Sequence, residues 1–282
     1  MTRILSALFL LVFLQPVLAQ RKINKVNDDP SYFYMIKVQG GSFYLGSDNG
    51  AMDRRPEHTV TLKDFYIDAY EVTQEQWKSI MGDNPSSNKC EECPVTNISW
   101  EDVQNFISKL NSKTGKHYRL PTEAEWEFAA RGGVRGVELV KPGKGIERGG
   151  VNQFLITHPD DRVPEKDKTG KRYSGKRLPQ DVAWYEANSK GRIHAIGRKK
   201  ANELGIYDMS GNAEEWCSDF YAGNYGSAAD ADNPQGPATG SSHVVRGGGW
   251  NSDKEDIVVT HRVAYVPGTK ANSLGFRLVE DK

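Results

Sequence analysis

Residues 33–38 and 42–45 are short, mostly apolar and aromatic runs split by Gly40-Gly41, and they read as two strands. Residues 59–62 and 65–67 repeat the pattern after a charged loop over 53–58. A helical period follows. Val103, Phe106, Ile107 and Leu110 fall on one stripe behind Ser99, the spacing of a helix with one buried face. Two further helices announce themselves by capping boxes, Thr73 with Gln76 and Thr122 with Glu125 behind Pro121. Residues 244–246, 257–259 and 274–279 return to strand character and would close the sheet. Over 132–175 the pattern collapses into Gly, Lys, Arg, Asp and Pro, with 154–156 the one apolar cluster, which predicts a polar surface insertion. Few helices, many short strands and abundant turns predict one α+β domain over 33–280 with irregular connections.

Composition changes this picture at the N-terminus. Arg3, an apolar run over 5–14 and Val17-Leu18-Ala19 have the form of a signal peptide over 1–19, with Gln20 opening a polar leader over 20–32. The run is too short to cross a bilayer, so no transmembrane span is expected in the mature chain. Export to the periplasm, the outer-membrane surface or the extracellular space follows. Lys and Arg balance Asp and Glu at 37 each, which leaves no global field for nucleic acid.

An exported chain sits where disulfides persist. Cys90 and Cys93 flank two glutamates in a polar loop; zinc would need two more ligands at matching spacing, so a small local disulfide is the expected use. Cys217, beside Trp216, is expected to be buried and inert. His58, beside Glu57, reads as a hydrogen-bonded surface group. Glu123, Glu125 and Glu127 could suggest acid–base work, but a first helical turn explains them through the helix dipole.

Residues 205–216 concentrate the remaining chemistry. Gly211 and Asn212 tolerate positive φ, and Asp208 and Glu215 flank the bend they allow. Side-chain and main-chain oxygens converging there would suit a hard cation such as Ca²⁺. A tight turn with two solvated acids is the alternative.

Seven blocks then occur in a fixed order: 40–46, 71–73, 94–100, 118–127, 205–216, 246–250 and 274–277. Together they resemble the formylglycine-generating enzyme, or sulfatase-modifying factor, family. The resemblance implies a C-type-lectin-like core low in regular secondary structure. It also implies a structural calcium site made of the Asp208 and Glu215 side chains and the Gly211 and Ala213 carbonyls, with Asp208 where the enzymes have Asn.

Family enzymes hold copper with two cysteines, and thiolates are what Cu(I) requires. Those positions correspond to Ser252 and Ile257, so copper is not expected. Glu214 stands where a tryptophan lines the enzyme pocket, and Gly249 where a serine is expected. The reading that follows is a non-catalytic binding or structural module of the cell envelope, a pseudoenzyme braced by calcium. Its protein or peptide ligand would meet the former active-site face at Trp250, Asn251, Asp253, Lys254, His261, Arg262 and Tyr265. The resemblance leaves open an oxidoreductase with a rearranged site, such as non-haem iron on His243, His261 and either Asp253 or Glu255. Ser252 as a nucleophile lacks a base at defined spacing.

Overall fold

A computed structural model describes residues 32–136, 172–175, 178–225 and 231–281. The expected signal peptide over 1–19, the expected leader up to residue 31 and residues 137–171 of the expected insertion lie outside the described residues.

The short N-terminal runs form β1 (Met35–Val38), β2 (Gly41–Leu45), β3 (His58–Leu62) and β4 (Phe65–Asp68). β1 and β4 pair antiparallel, with Val38 opposite Phe65, and so do β2 and β3, with Phe43 opposite Val60. Three capped helices follow: α1 (Gln74–Met81), α2 (Trp100–Thr114) and α3 (Glu123–Ala130). Each has both bonds of its capping box, and α1 and α2 end on left-handed Gly82 and Gly115. β5 is His117–Arg119, β6 Glu214–Phe220, β7 Ala231–Asp232, β8 His243–Arg246, β9 Arg262–Tyr265, β10 Leu274–Gly275 and β11 Val279–Asp281.

These strands make three small sheets, ordered β1-β4-β11-β5, β10-β6-β8-β9 and β2-β3-β7. The architecture is α+β and low in regular structure. One core gathers α3 residues Trp126 and Phe128 against Phe43, Phe65, Ile67 and Val244. The other gathers the α2 stripe against Trp77, Trp216 and Phe276, and Trp77 stacks on Phe106 at a centroid distance of 5.1 Å. Among the described residues no helix is long and apolar enough to cross a membrane.

Two strand expectations need correction. Residues 257–259 lie in turns, although all three are buried: Ile257 and Val258 pack with Tyr173, Val182 and Ala183, and Val259 joins the core around Trp126 and Val244. Residues 274–279 do not form one strand, since β10 pairs parallel with β6 while β11 pairs with β4 and β5 in another sheet. The sequence reading also missed β6. Its acidic start, Glu214-Glu215, hides a strand that buries its first four residues.

Candidate functional site

The 205–216 segment begins with backbone that few L-residues adopt. Asp208 and Asn212 have φ of 56° and 66°, and Gly211 has 80°. A Cβ on Gly211 would lie 2.2 Å from the Trp184 carbonyl oxygen, so only glycine fits that crossing. Glu71 ties the bend down from outside: one oxygen accepts from Asn212 Nδ2 at 3.0 Å, the other from the Ala213 amide at 2.9 Å. Sequence reasoning placed Glu71 in the 71–73 block but gave it no role.

The two acids expected to face one cation have different surroundings. Asp208 is 2% exposed; Oδ2 accepts from the Gly197 amide at 2.7 Å, and Oδ1 is buried without a hydrogen-bond partner. Burial lifts its pKa to about 6, and Glu215 adds to the rise. Glu71 is pushed well above the ordinary carboxylate range by burial, then by Asp208 and Glu215. An orphaned carboxylate oxygen amid like charges fits a cation.

Glu215 does not. Arg277 grips it with Nε at 2.7 Å and Nη2 at 2.6 Å, and Trp126 Nε1 donates at 2.7 Å. These bonds fill Oε2 twice and Oε1 once, leaving Oε1 one of the carboxylate's roughly four acceptor sites. Within the expected set of Asp208, Gly211, Ala213 and Glu215, the structure pairs Glu215 with buried Arg277. No group of three or more His, Cys, Asp or Glu side chains is placed to hold a metal among the described residues.

The same pairing recurs through the α3 carboxylates. Glu123 is held by Arg262 Nε and Nη2 at 2.7 and 2.6 Å, and Glu125 by the Arg119 fork at 2.7 Å on both prongs. Glu127, fully buried, meets Arg131, Arg246 and the Gly46 amide. These acids are structural, but as counterions of arginines brought in by other strands more than as helix-dipole charges. Arg262 therefore leaves the expected binding surface: it is 4% exposed, between Tyr221 and Tyr225, whose ring centres lie 4.7 and 4.3 Å away.

His261, its side chain 16% exposed, does not join His243. Its Nδ1 meets Arg54 Nη2 at 2.7 Å; burial first, then Arg54, pulls its pKa down to about 4. His243 stacks between Trp100 and Phe220, at 4.1 and 4.4 Å, with Nδ1 against the Ser218 carbonyl. The two-histidine, one-carboxylate arrangement is not assembled. His58 pairs its Nδ1 with the Pro56 carbonyl at 2.9 Å.

The other residues of the expected surface differ in exposure. Asn251, Asp253 and Lys254 are exposed, and Trp250 is half-buried with Nε1 donating to the Asn272 carbonyl at 3.2 Å. Gly249 lies under Ser273, whose Oγ donates to Glu214 at 3.2 Å, and Tyr265 adds its hydroxyl to the same carboxylate at 3.3 Å. Burial raises the Glu214 carboxyl pKa, and it lifts the Tyr265 phenol to about 12. Ser252 closes a tight turn, its Oγ accepting from the Gly249 amide at 3.0 Å. Ile257 is 0% exposed in an apolar cluster with Tyr173, Val182, Ala183 and Val258. Cys90 and Cys93 are joined by a disulfide, and Cys217 is fully buried, its thiol pushed well up by burial.

Three short sheets, capped helices and a glycine-pivoted acidic bend define the sulfatase-modifying-factor class of fold. The chain belongs to that family: the model of the sulfatase-modifying factor enzyme 1-like domain matches residues 20–282. Among curated proteins it is 29% identical to the chaperone protein LppX of Paenibacillus barcinonensis, over 89% of this chain and 87% of that one. It is 30% identical to the serine/threonine-protein kinase pkn1 of Chlamydia caviae, spanning 42% of that longer protein, and 31% identical to the formylglycine-generating enzyme of Streptomyces coelicolor over 67% of this chain and 52% of that enzyme. Among solved structures, the Treponema denticola variable protein 1 superposes with a TM-score of 0.71 at 28% identity, covering 88% of this chain and 95% of that one.

Proposed function

We propose that this chain is an exported, non-catalytic member of the family that binds a protein or peptide segment on the face around Trp250, Asn251, Asp253, Lys254 and Tyr265. One observation carries the reading. The positions where family enzymes grip copper hold a turn-closing Ser252 and an Ile257 sealed in apolar packing, and the chain's three cysteines lie elsewhere, two in a disulfide and one buried. Formation of a Cu(I) dithiolate needs two facing thiolates. A relative named as a chaperone over nearly its whole length supports a polypeptide as the ligand.

Calcium enters the proposal in a narrower form than the resemblance implies. Asp208 Oδ1 would be the protein's anionic ligand, with the Gly211 and Ala213 carbonyls as neutral donors, while Glu215 stays with Arg277. The cation would neutralise an acid-rich interior and brace the bend beneath the binding face.

The test uses the full mature chain. Titration with Cu(I) should leave no stoichiometric thiolate-to-copper charge-transfer band, and a cysteine-containing sulfatase peptide should acquire no aldehyde by mass spectrometry. Either signal would refute the non-catalytic reading. Binding is read with an unfolded polypeptide probe, reduced carboxymethylated lactalbumin: Trp250→Ala should weaken it at least tenfold, and unchanged affinity would refute the assigned face.

A further inference from the structure

We propose that the Cys90–Cys93 disulfide is a thiol–disulfide exchange site for a protein dithiol, and that its redox state positions Trp250. The bridge closes a ring of four residues, so it removes little entropy from the unfolded chain compared with one spanning a long loop. Its value as a staple is correspondingly small. Its placement is more informative.

Three parts of the structure hang on the segment it closes. The Cys93 and Glu91 carbonyls accept the amides of Gln74 and Glu75, at 2.9 and 3.1 Å, which are first-turn donors of α1 that have no partner within the helix. The Gln74 side chain completes that joint: its oxygen takes the Cys90 amide at 2.9 Å, and its Nε2 donates to the Asn88 carbonyl at 2.9 Å. The Glu92 carbonyl accepts from Ile196, next to the Gly197 amide that holds Asp208. Cys93 also forms a small apolar cluster with Ile193 and Ala213, against which Cys90, Ala195 and Trp250 pack. The S–S bond therefore lies where α1, the 193–197 loop and the binding face meet.

The two sulfurs are unequal, as exchange requires. Cys90 is half-buried and approachable, whereas Cys93 is 2% exposed. A thiolate of the incoming dithiol attacks Cys90 Sγ. The S–S bond breaks, and its electron pair leaves on Cys93 Sγ, which takes up a proton. The second thiolate of the dithiol then attacks its own sulfur in the mixed disulfide and releases Cys90 as a thiol. Two electrons enter the chain and the partner departs as a disulfide.

This inference stands apart from the ligand-binding reading, because neither readout uses a ligand. Cys217, with no exposed surface, reports global opening within the same molecule. The full mature chain is equilibrated with dithiothreitol or with reduced thioredoxin, alkylated with a maleimide and mapped by mass spectrometry, while tryptophan emission is recorded. We expect complete labelling of Cys90 and Cys93 with Cys217 unlabelled. We also expect a shift in emission that Trp250→Phe abolishes and that the Cys90→Ser/Cys93→Ser double variant reproduces without reductant. Labelling of the pair only together with Cys217 would overturn the proposal. So would reduction with no Trp250-dependent shift, or reduction by the small reagent but not by thioredoxin.

Discussion

Replacing Arg277 by Met would expose how the buried acids of the 205–216 region are balanced. Arg277 is fully buried, grips Glu215 with two prongs and donates to the Asp68 and Tyr207 carbonyls at 3.1 and 3.0 Å. Asp68, Glu71 and Asp208 all feel it, for each carboxyl is drawn down by its charge against the upward push of burial. Removing one partner of a buried pair costs about 3–5 kcal/mol because the other charge is stranded. At about 2–4 °C per kcal/mol for a domain of this size, the midpoint should fall by roughly 10 °C at pH 7.5. The converse change is milder. In Glu215→Gln, Arg277 keeps the Asp68 and Tyr207 carbonyls and gains the Gln amide oxygen as acceptors, so the loss should be smaller than in Arg277→Met. The Arg277→Met variant also frees the Glu215 carboxylate, so millimolar Ca²⁺ should raise its midpoint more than that of the native chain. Denaturation followed by circular dichroism, with and without Ca²⁺, reads all three. Equal losses in the two variants, or no extra calcium response in Arg277→Met, would refute this account.

Other expectations follow from single sites. Burial and Glu123 raise the Asp219 pKa to about 7, above its unfolded value near 3.8, so the native state holds the extra proton between these limits. Stability should therefore fall by a few kcal/mol as pH rises from about 4 to about 7, and Asp219→Asn should flatten that slope in chemical denaturation at several pH values. Gly211→Ala should destabilise severely, by more than about 3 kcal/mol, because the new Cβ meets the Trp184 carbonyl at 2.2 Å and φ is left-handed; thermal melts decide it. Thr122→Ala removes the oxygen that caps the Glu125 amide and should cost about 1 kcal/mol, read by urea denaturation.

How much of this was legible beforehand depends on the range of the forces involved. The caps of α1, α2 and α3 are local hydrogen bonds between residues three apart, so Thr73, Ser99 and Thr122 declared themselves in the sequence. The α2 stripe was legible for the same reason. Glu215 was not, because its partner Arg277 lies 62 residues away and a carboxylate looks the same facing a guanidinium or a cation. Arg262 was read as surface because charge usually means exposure; its burial depends on Glu123, 139 residues distant. Strand β6 was hidden because its acids point inward, which defeats an alternation rule built on apolar residues.

The long-range arginine–glutamate pairs carry a consequence for how this chain reaches its shape. Arg246 meets Glu127 across 119 residues and Arg262 meets Glu123 across 139, so neither contact exists until distant strands and α3 have docked. A wrong docking of β8 or β9 strands at least one ion in an oily interior, at a cost that a misplaced leucine would not incur. The pairs thus act as a late checkpoint on topology. The native docking of α3 with β8 and β9 is the arrangement in which these buried ions have their counterions.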